Sequence, residues 1–329
     1  MLNENQKLNP RLLEKDVEQA PIRFGYGEGL LKAGEENEKV VALCADLTDS
    51  TKTSTFSNKF PERFVQVGIG EQSMASVASG MAAMGKVPFI ASYAMFSPGR
   101  NWEQIRTTIC YNNSNVKIAG AHAGVSVGPD GGTHQAIEDI AIMRVIPRMT
   151  VVVPCDSVEA KKATYAAATT KGPFYLRFAR EATPIVTTEE SPFEVGKANL
   201  LRNPENPQVA IIACGSLVYN AIMAAEELAK EGIECSVLNN HTVKPMDKNS
   251  VVSVSKEAGA VVTVEEHQVM GGMGSAVAEI LAKEVPTPME FVGVQDLFGQ
   301  SGEPNELVEE YGMGVKKIIE AVKRVLKRN

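Results

Sequence analysis

Short runs of aliphatic and β-branched residues alternate along this chain with longer stretches whose apolar positions recur at helical spacing. That alternation predicts an α/β fold built on mainly parallel sheets. In the first half the runs VVALCAD from Val40, RFVQV from Arg63, VPFIAS from Val87, VKIAGA from Val116, TVVVP from Thr150 and FYLRF from Phe174 predict strands. Several hold almost no polar residue, as expected where helices cover both faces of a sheet. Between them the spacing predicts helices over Phe24–Asn37, Gln72–Met84, Arg100–Tyr111 and Ser157–Thr170. The stretch Ala182–Pro192, ATPIVTTEESP, has two prolines, several threonines and no helical period, so it reads as a linker. A second α/β pattern follows: QVAIIAC, a helix through AIMAAEELAKEG, then CSVLNN, GAVVTVEEH, a helix through SAVAEILAKEV, and MEFVGV. Two domains are therefore expected, over 15–190 and 191–329, with the boundary near Pro192.

The helix Gln72–Met84, QSMASVASGMAAM, is built almost wholly of Ser, Ala, Gly and Met. Side chains this small let backbones approach closely. Burial against a second subunit and ordinary packing within one chain both account for it.

Composition narrows the class. The chain has 329 residues, 44% of them hydrophobic and 22% charged, the mix of a folded globular protein with room for two cores. A net charge of −7 speaks against a nucleic-acid surface, where a basic balance is expected. No apolar run is long enough to span a bilayer, and the polar, mixed-charge start MLNENQKLNPRLLEKD reads as neither a signal nor a transit peptide. The five cysteines lie far apart without CxxC spacing, which suits buried free thiols in a reducing cytoplasm.

Three clusters carry possible chemistry. Of four histidines, His122 and His134 fall in GAHAGVSVGPDGGTHQAIED, flanking Asp130, with five glycines between Gly120 and Gly132. The segment follows a predicted strand, and ligands of α/β sheets bind at the carboxyl ends of strands. The spacing matches no helical metal motif and no cysteine is near, so no metal site is expected here. In QVGIGEQSM, Glu71 opens the small-residue helix. It is either a helix-start glutamate that favours the macrodipole or, in apolar surroundings, a carboxyl with a raised pKa fit to share a proton near neutral pH. In ASYAMFSPGRNWEQIR, Tyr93, Phe96 and Trp102 are a local enrichment in a chain only 6% aromatic, serving as core or as a platform for a flat ring. Arg23, Arg177 and Arg180 are candidate anion anchors.

In this order the clusters resemble the C-terminal half of transketolases, over essentially the whole chain from about Pro21. The segments that carry the resemblance are CADLTDS (Cys44–Ser50), VGIGEQSM (Val67–Met74), YAMFSPGR (Tyr93–Arg100) and GAHAGVSVGPDGGTHQ (Gly120–Gln135). The resemblance implies a thiamin-pyrimidine-binding Rossmann-like domain followed by a smaller transketolase C-terminal domain. It implies that Glu71 is the glutamate bonding the pyrimidine of thiamin diphosphate, with Tyr93 and Phe96 stacking on that ring and Ile69 and Asp46 near the cofactor. Asp130 and His134, together with Glu71, are implied as catalytic residues, Asp130 contacting a substrate hydroxyl and His134 near the thiazolium and the donor hydroxyls. Arg23, Ser50, His122 and Arg180 fall on positions that hold the sugar phosphate, and Arg180 aligns better than Arg177. Gly99 stands about where the family has a third aromatic residue.

The family holds Mg²⁺ and the diphosphate with a GDG motif, and no GDG occurs in this sequence. The resemblance therefore implies the C-terminal subunit of a split transketolase, working with an N-terminal subunit that carries GDG and the Mg²⁺ ligands. Self-association into a dimer core, and a heterotetramer with that partner, are expected. So is transfer of a two-carbon ketol unit between sugar phosphates. A 1-deoxyxylulose-5-phosphate synthase, the β-subunit of a 2-oxoacid dehydrogenase and a non-catalytic protein that kept the fold are the alternatives.

Overall fold

The computed structural model describes residues 1–328. The strands in chain order are β1 Gln19–Pro21, β2 Val40–Cys44, β3 Phe64–Gln66, β4 Val87–Tyr93, β5 Lys117–Ala121, β6 Thr150–Val152 and β7 Phe174–Arg177. After them come β8 Ala182–Pro184, β9 Asn199–Arg202, β10 Val209–Ala213, β11 Cys235–Asn239, β12 Thr242–Lys244, β13 Val261–Gln268 and β14 Met289–Val294. A seven-stranded sheet runs β12-β6-β7-β5-β4-β2-β3 and a five-stranded sheet runs β14-β13-β10-β11-β9. Within the first, every pairing but β12 to β6 is parallel. Within the second, only β9 to β11 is antiparallel. The strands expected from sequence in both halves are present, and β2, β5, β10 and β11 are buried along their whole length, as their unbroken apolar runs require.

Helices cover the first sheet. The pair Ile22–Glu36 and Ser157–Thr169 packs backbone to backbone, because Gly25 and Gly29 leave the contact clear. A Cβ on Gly25 would lie 1.8 Å from the Ser157 carbonyl oxygen. This notch fixes the start of the first helix, and with it Arg23. The second helix is capped by Asp156, whose side chain accepts from the Glu159 N–H at 2.7 Å.

Two expectations need correcting. The stretch read as a linker is ordered and largely buried in its first part: β8 pairs with β1, and Val186 and Thr187 are buried. Asp156 explains this. Its buried carboxylate accepts from the Val186 and Thr187 N–H groups at 2.8 and 2.6 Å and from the Thr187 hydroxyl, so the chain is drawn inward to satisfy it. The helix expected over Arg100–Tyr111 is a short α turn, Trp102–Gln104, continued by a π-helical stretch, Ile105–Cys110. Sequence reading also passed over the helices Lys248–Ala258, Pro304–Glu310 and Val315–Leu326 and the edge strand β12, by which the second half of the chain completes the first sheet. All five cysteines are free and buried, and among the described residues no helix is long and apolar enough to cross a membrane.

Candidate active site

Because β3, β2, β4, β5 and β7 lie side by side and parallel, the segments leaving their carboxyl ends form one row. From β3 come Ile69 and Glu71, from β2 Asp46 and Ser50, from β4 Tyr93 and Phe96, from β5 His122, and from β7 Arg180. The glycine-notched helix adds Arg23. Arg23 and His122, 99 residues apart in sequence, thus come into side-chain contact.

His122 is buried with φ +54°, and its ring stacks on Tyr93 with centroids 3.8 Å apart and planes 21° apart. Arg23 Nη1 lies 3.3 Å from His122 Nε2 and donates to the Ser50 carbonyl at 2.8 Å. A guanidinium has no acceptor, so Nε2 accepts and the imidazole proton stands on Nδ1. That buried Nδ1 has no hydrogen-bond partner, and neither has the buried Nε of Arg23. Burial, with Arg23, Arg180 and His134 nearby, pushes the His122 pKa down to about 3. Burial and the charge of Arg180 also lower Arg23. The cluster therefore holds two guanidinium groups, a neutral imidazole and two unused buried donors. An anion would relieve both the repulsion and the unmet hydrogen bonds.

The two remaining candidate arginines separate cleanly. Arg180 donates to the Val127 carbonyl at 2.6 Å and stands 3.4 Å from Glu181, partly open. Arg177 is fully buried and fully used: it pairs with Asp139 at 2.8 Å and donates to the Ala136 and Glu266 carbonyls. Burial opposes its charge, but Asp139 and Glu266 outweigh that and raise its pKa.

Glu71 is the first residue of the helix Glu71–Ala83 and only 3% exposed. Its surroundings are not the apolar ones expected from sequence. Arg100 Nη1 lies 3.3 Å from Oε2, and the Ser92 hydroxyl donates to Oε1 at 3.3 Å. Asn101 holds the Glu71 backbone carbonyl at 3.0 Å. The Arg100 guanidinium also lies over the Phe96 ring, 4.3 Å from its centroid. Arg100 is the site residue that sequence reading named only as part of an anchor segment. The signal was its spacing, a cation four residues after the aromatic it covers.

His134 stands edge-on to Phe96 and Tyr93, with centroids 5.5 and 6.2 Å away, and its Nδ1 lies 3.0 Å from the Thr133 hydroxyl. Asp130 is exposed at the end of the turn Val125–Asp130. Asp46 is exposed with φ +59°, its N–H donating to Gln66 at 2.8 Å. Ile69 is 75% exposed, an apolar side chain in open solvent at the mouth of the row. Trp102 takes the other role considered for it. Its indole donates to the Ile142 carbonyl at 2.8 Å and it packs on the core.

With this geometry in place, the comparisons with known proteins are informative. The transketolase pyrimidine-binding domain matches residues 18–186 and the transketolase C-terminal domain matches residues 196–318. The chain is 41% identical to the 6-deoxy-6-sulfo-D-fructose transketolase subunit of Clostridium sp. (strain MSTE9), over 96% of this chain and 97% of that one. It is 36% identical to transketolase-like protein 2 of Mus musculus, over 97% of this chain but only 51% of that one. Among solved structures, a split gene transketolase described as an inactive beta4 tetramer superposes with a TM-score of 0.87 at 44% identity, covering 93% of this chain and 98% of its own.

Proposed function

Because this chain belongs to the transketolase family, we propose that it forms one side of an active site shared with an N-terminal partner subunit, and that the assembled enzyme transfers a two-carbon ketol unit from a ketose phosphate to an aldose phosphate. One observation carries the reading: Arg23, Arg180 and His122, with two buried donors unpartnered, stand against the aromatic pair Tyr93 and Phe96 beside Glu71. An anion pocket next to a ring platform and a buried carboxylate suits a phosphorylated substrate and a heteroaromatic cofactor.

The residues fit the pyrimidine end of thiamin diphosphate. Glu71 offers a nearly fully buried carboxylate, Phe96 a ring partly open beside it, and Ile69 an exposed apolar side chain at the mouth. Tyr93 stacks on His122 and lies near-parallel to Phe96, with ring centroids 6.0 Å apart, so the two rings form one platform. No group of His, Cys, Asp or Glu suited to a metal is found among the described residues. We assign the Mg²⁺ and diphosphate contacts to the partner, because the GDG motif that the resemblance calls for does not occur in this sequence. When bound, the cofactor supplies the nucleophilic carbon and the electron sink on which the ketose C2–C3 bond breaks.

What this chain contributes is binding, orientation and proton holding. Glu71 holds or releases a proton at Oε1, while Arg100 keeps Oε2 in place. Arg23, Arg180 and the Nδ1–H of His122 hold the phosphate, with Ser50 beside them. His134 and Asp130 face the donor hydroxyls from the glycine-rich loop. The exposed side of the helix Glu71–Ala83, with Val77, and the following Met84 give an apolar surface for a second copy of this chain, completing a heterotetramer. Five buried free thiols suit a reducing cytoplasm.

Two guanidinium groups around a neutral imidazole match a dianion, which favours phosphate over the singly charged sulfonate named for the Clostridium relative. Steady-state kinetics on the reconstituted pair, with ketoses bearing phosphate, sulfonate or neither, test the reading. Ketol transfer with the lowest KM for the phosphate supports it. Transfer from pyruvate alone would favour the deoxyxylulose phosphate synthase alternative, and no turnover with any donor would favour the non-catalytic one.

A further inference from the structure

His122, Asp130 and His134 ride on a loop whose shape is set from outside the first sheet. The Ser126 N–H donates to Glu266 Oε1 at 2.7 Å, and Glu266 Oε2 accepts from the Ser216 hydroxyl at 2.9 Å. Glu266 belongs to β13 of the second sheet and Ser216 to the turn after β10, so both partners are fixed by parallel strands of the other domain. The fit is close. Gly124 has φ +91°, and a Cβ there would lie 2.2 Å from Glu266 Oε1. Only glycine lets the loop pass against this carboxylate. Gln135 adds a second tie, donating to the Val125 carbonyl at 2.9 Å and to the Gln300 carbonyl of the second domain at 3.0 Å. One residue beyond Ser126, the Val127 carbonyl accepts from Arg180.

We propose that Glu266 is a positioning residue for substrate binding: its carboxylate, clamped by Ser216, fixes the Gly124–Val127 backbone and thereby places Arg180 and His122 around the phosphate. The proposal rests on the functional reading above. Glu266 touches neither group directly. It acts through one backbone amide and the carbonyl beyond it. A cavity of about 240 Å³, lined among others by Ser126, Ser216, Glu266, Tyr219 and Asn220, lies beside the clamp. On the Ser126 side the loop therefore has space to retreat into once the clamp is gone. A buried carboxylate tied to a backbone N–H is costly to remove, because the amide is left unpaired. Here that amide is in the loop that carries three of the proposed substrate residues.

The test compares Glu266→Ala, Glu266→Gln and Ser216→Ala, each reconstituted with the N-terminal subunit. KM and kcat are measured for a ketose phosphate and for the same ketose without phosphate, with cofactor binding and thermal midpoint measured alongside. Glu266→Ala is expected to raise KM for the phosphorylated ketose by roughly tenfold or more, since displacements near 1 Å can cost up to about a hundredfold. KM for the unphosphorylated ketose and cofactor affinity should change little. Glu266→Gln keeps an acceptor for Ser126 and should restore most of the loss. Ser216→Ala should fall between them, and it remains informative if Glu266→Ala does not fold. Equal loss on both ketoses, or a lowered thermal midpoint with unchanged KM, would overturn the positioning role. A wild-type pair that transfers no ketol unit would instead overturn the functional reading, so the two failures are distinguishable.

Discussion

The first sheet buries basic side chains at both of its ends, and the two ends treat them differently. At the amino end of β5, Lys117 is fully buried, and its Nζ donates to Asn115 Oδ1 at 2.8 Å and to the Thr170 and Gly172 carbonyls at 2.7 Å each. Every acceptor belongs to the chain itself. At the carboxyl end of the same strand, His122 is buried and Arg23 half-buried, and the His122 Nδ1 and Arg23 Nε carry donors that nothing in the chain accepts. An unmet buried donor costs on the order of 1–3 kcal/mol. A basic group satisfied internally holds the fold, whereas on our proposal the unsatisfied donors of Arg23 and His122, near Arg180, are held open for an anion.

Four substitutions break or sharpen this contrast. The largest effect is expected at Glu71. Glu71→Ala should lower kcat of the reconstituted pair by roughly 10²–10⁴-fold, the range of general acid–base contributions, with circular dichroism unchanged. At the amino end, Lys117→Ala should cost roughly 3–5 kcal/mol in a urea titration, because it opens a cavity and strands three acceptors. The refolded fraction should keep its KM. A change in KM without a loss of stability would erase the distinction between the two ends.

Glu159 shows that satisfaction, and not position, is the discriminating property. It is buried near the carboxyl end of β6, yet Oε1 accepts from Asn239 at 2.8 Å and Oε2 from the Cys155 N–H at 2.7 Å. Burial, with Asp156 next to it, pushes its pKa up to about 7. A carboxyl raised in the folded state contributes stability that is complete at low pH and lost as pH rises through about 7. Between pH 5 and 8 this contribution should fall by on the order of 3 kcal/mol, and Glu159→Gln should flatten the profile. Denaturant midpoints across that range check it; a profile just as steep in the variant would show that another group is responsible. The smallest effect is expected at Arg180. Arg180→Ala should raise KM for a phosphorylated ketose roughly tenfold, as for one charged hydrogen bond, and leave an unphosphorylated ketose nearly unaffected.

Much of this was legible in the sequence, and the exceptions share a cause. The buried parallel strands announced themselves as apolar runs, and the motif segments singled out Glu71 and His122 as candidates, with Arg180 added by the wider resemblance. What periodicity cannot show is a polar group's need for a distant partner. Asp156 draws Val186 and Thr187 inward, so a stretch with the composition of a linker is buried. Arg177 and Arg180, three residues apart, differ because Arg177 is buried against Asp139 and two carbonyls while Arg180 is partly open beside Glu181. Glu266 looked like one more polar residue in VEEH, since its partners Ser126 and Ser216 lie 140 and 50 residues away. The helix Val315–Leu326, by contrast, has a clear amphipathic pattern, with Ile318, Val322 and Val325 on its buried face.

The central claim is that this chain holds the pyrimidine and the sugar phosphate while a partner holds the diphosphate. Calorimetric titration of thiamin diphosphate with Mg²⁺ into the purified chain, and then into the chain mixed with the proposed N-terminal subunit, measures this directly. The account predicts weak binding or none to the chain alone, and tight, Mg²⁺-dependent binding once the partner is present. Tight binding by the lone chain, accompanied by ketol transfer, would contradict it.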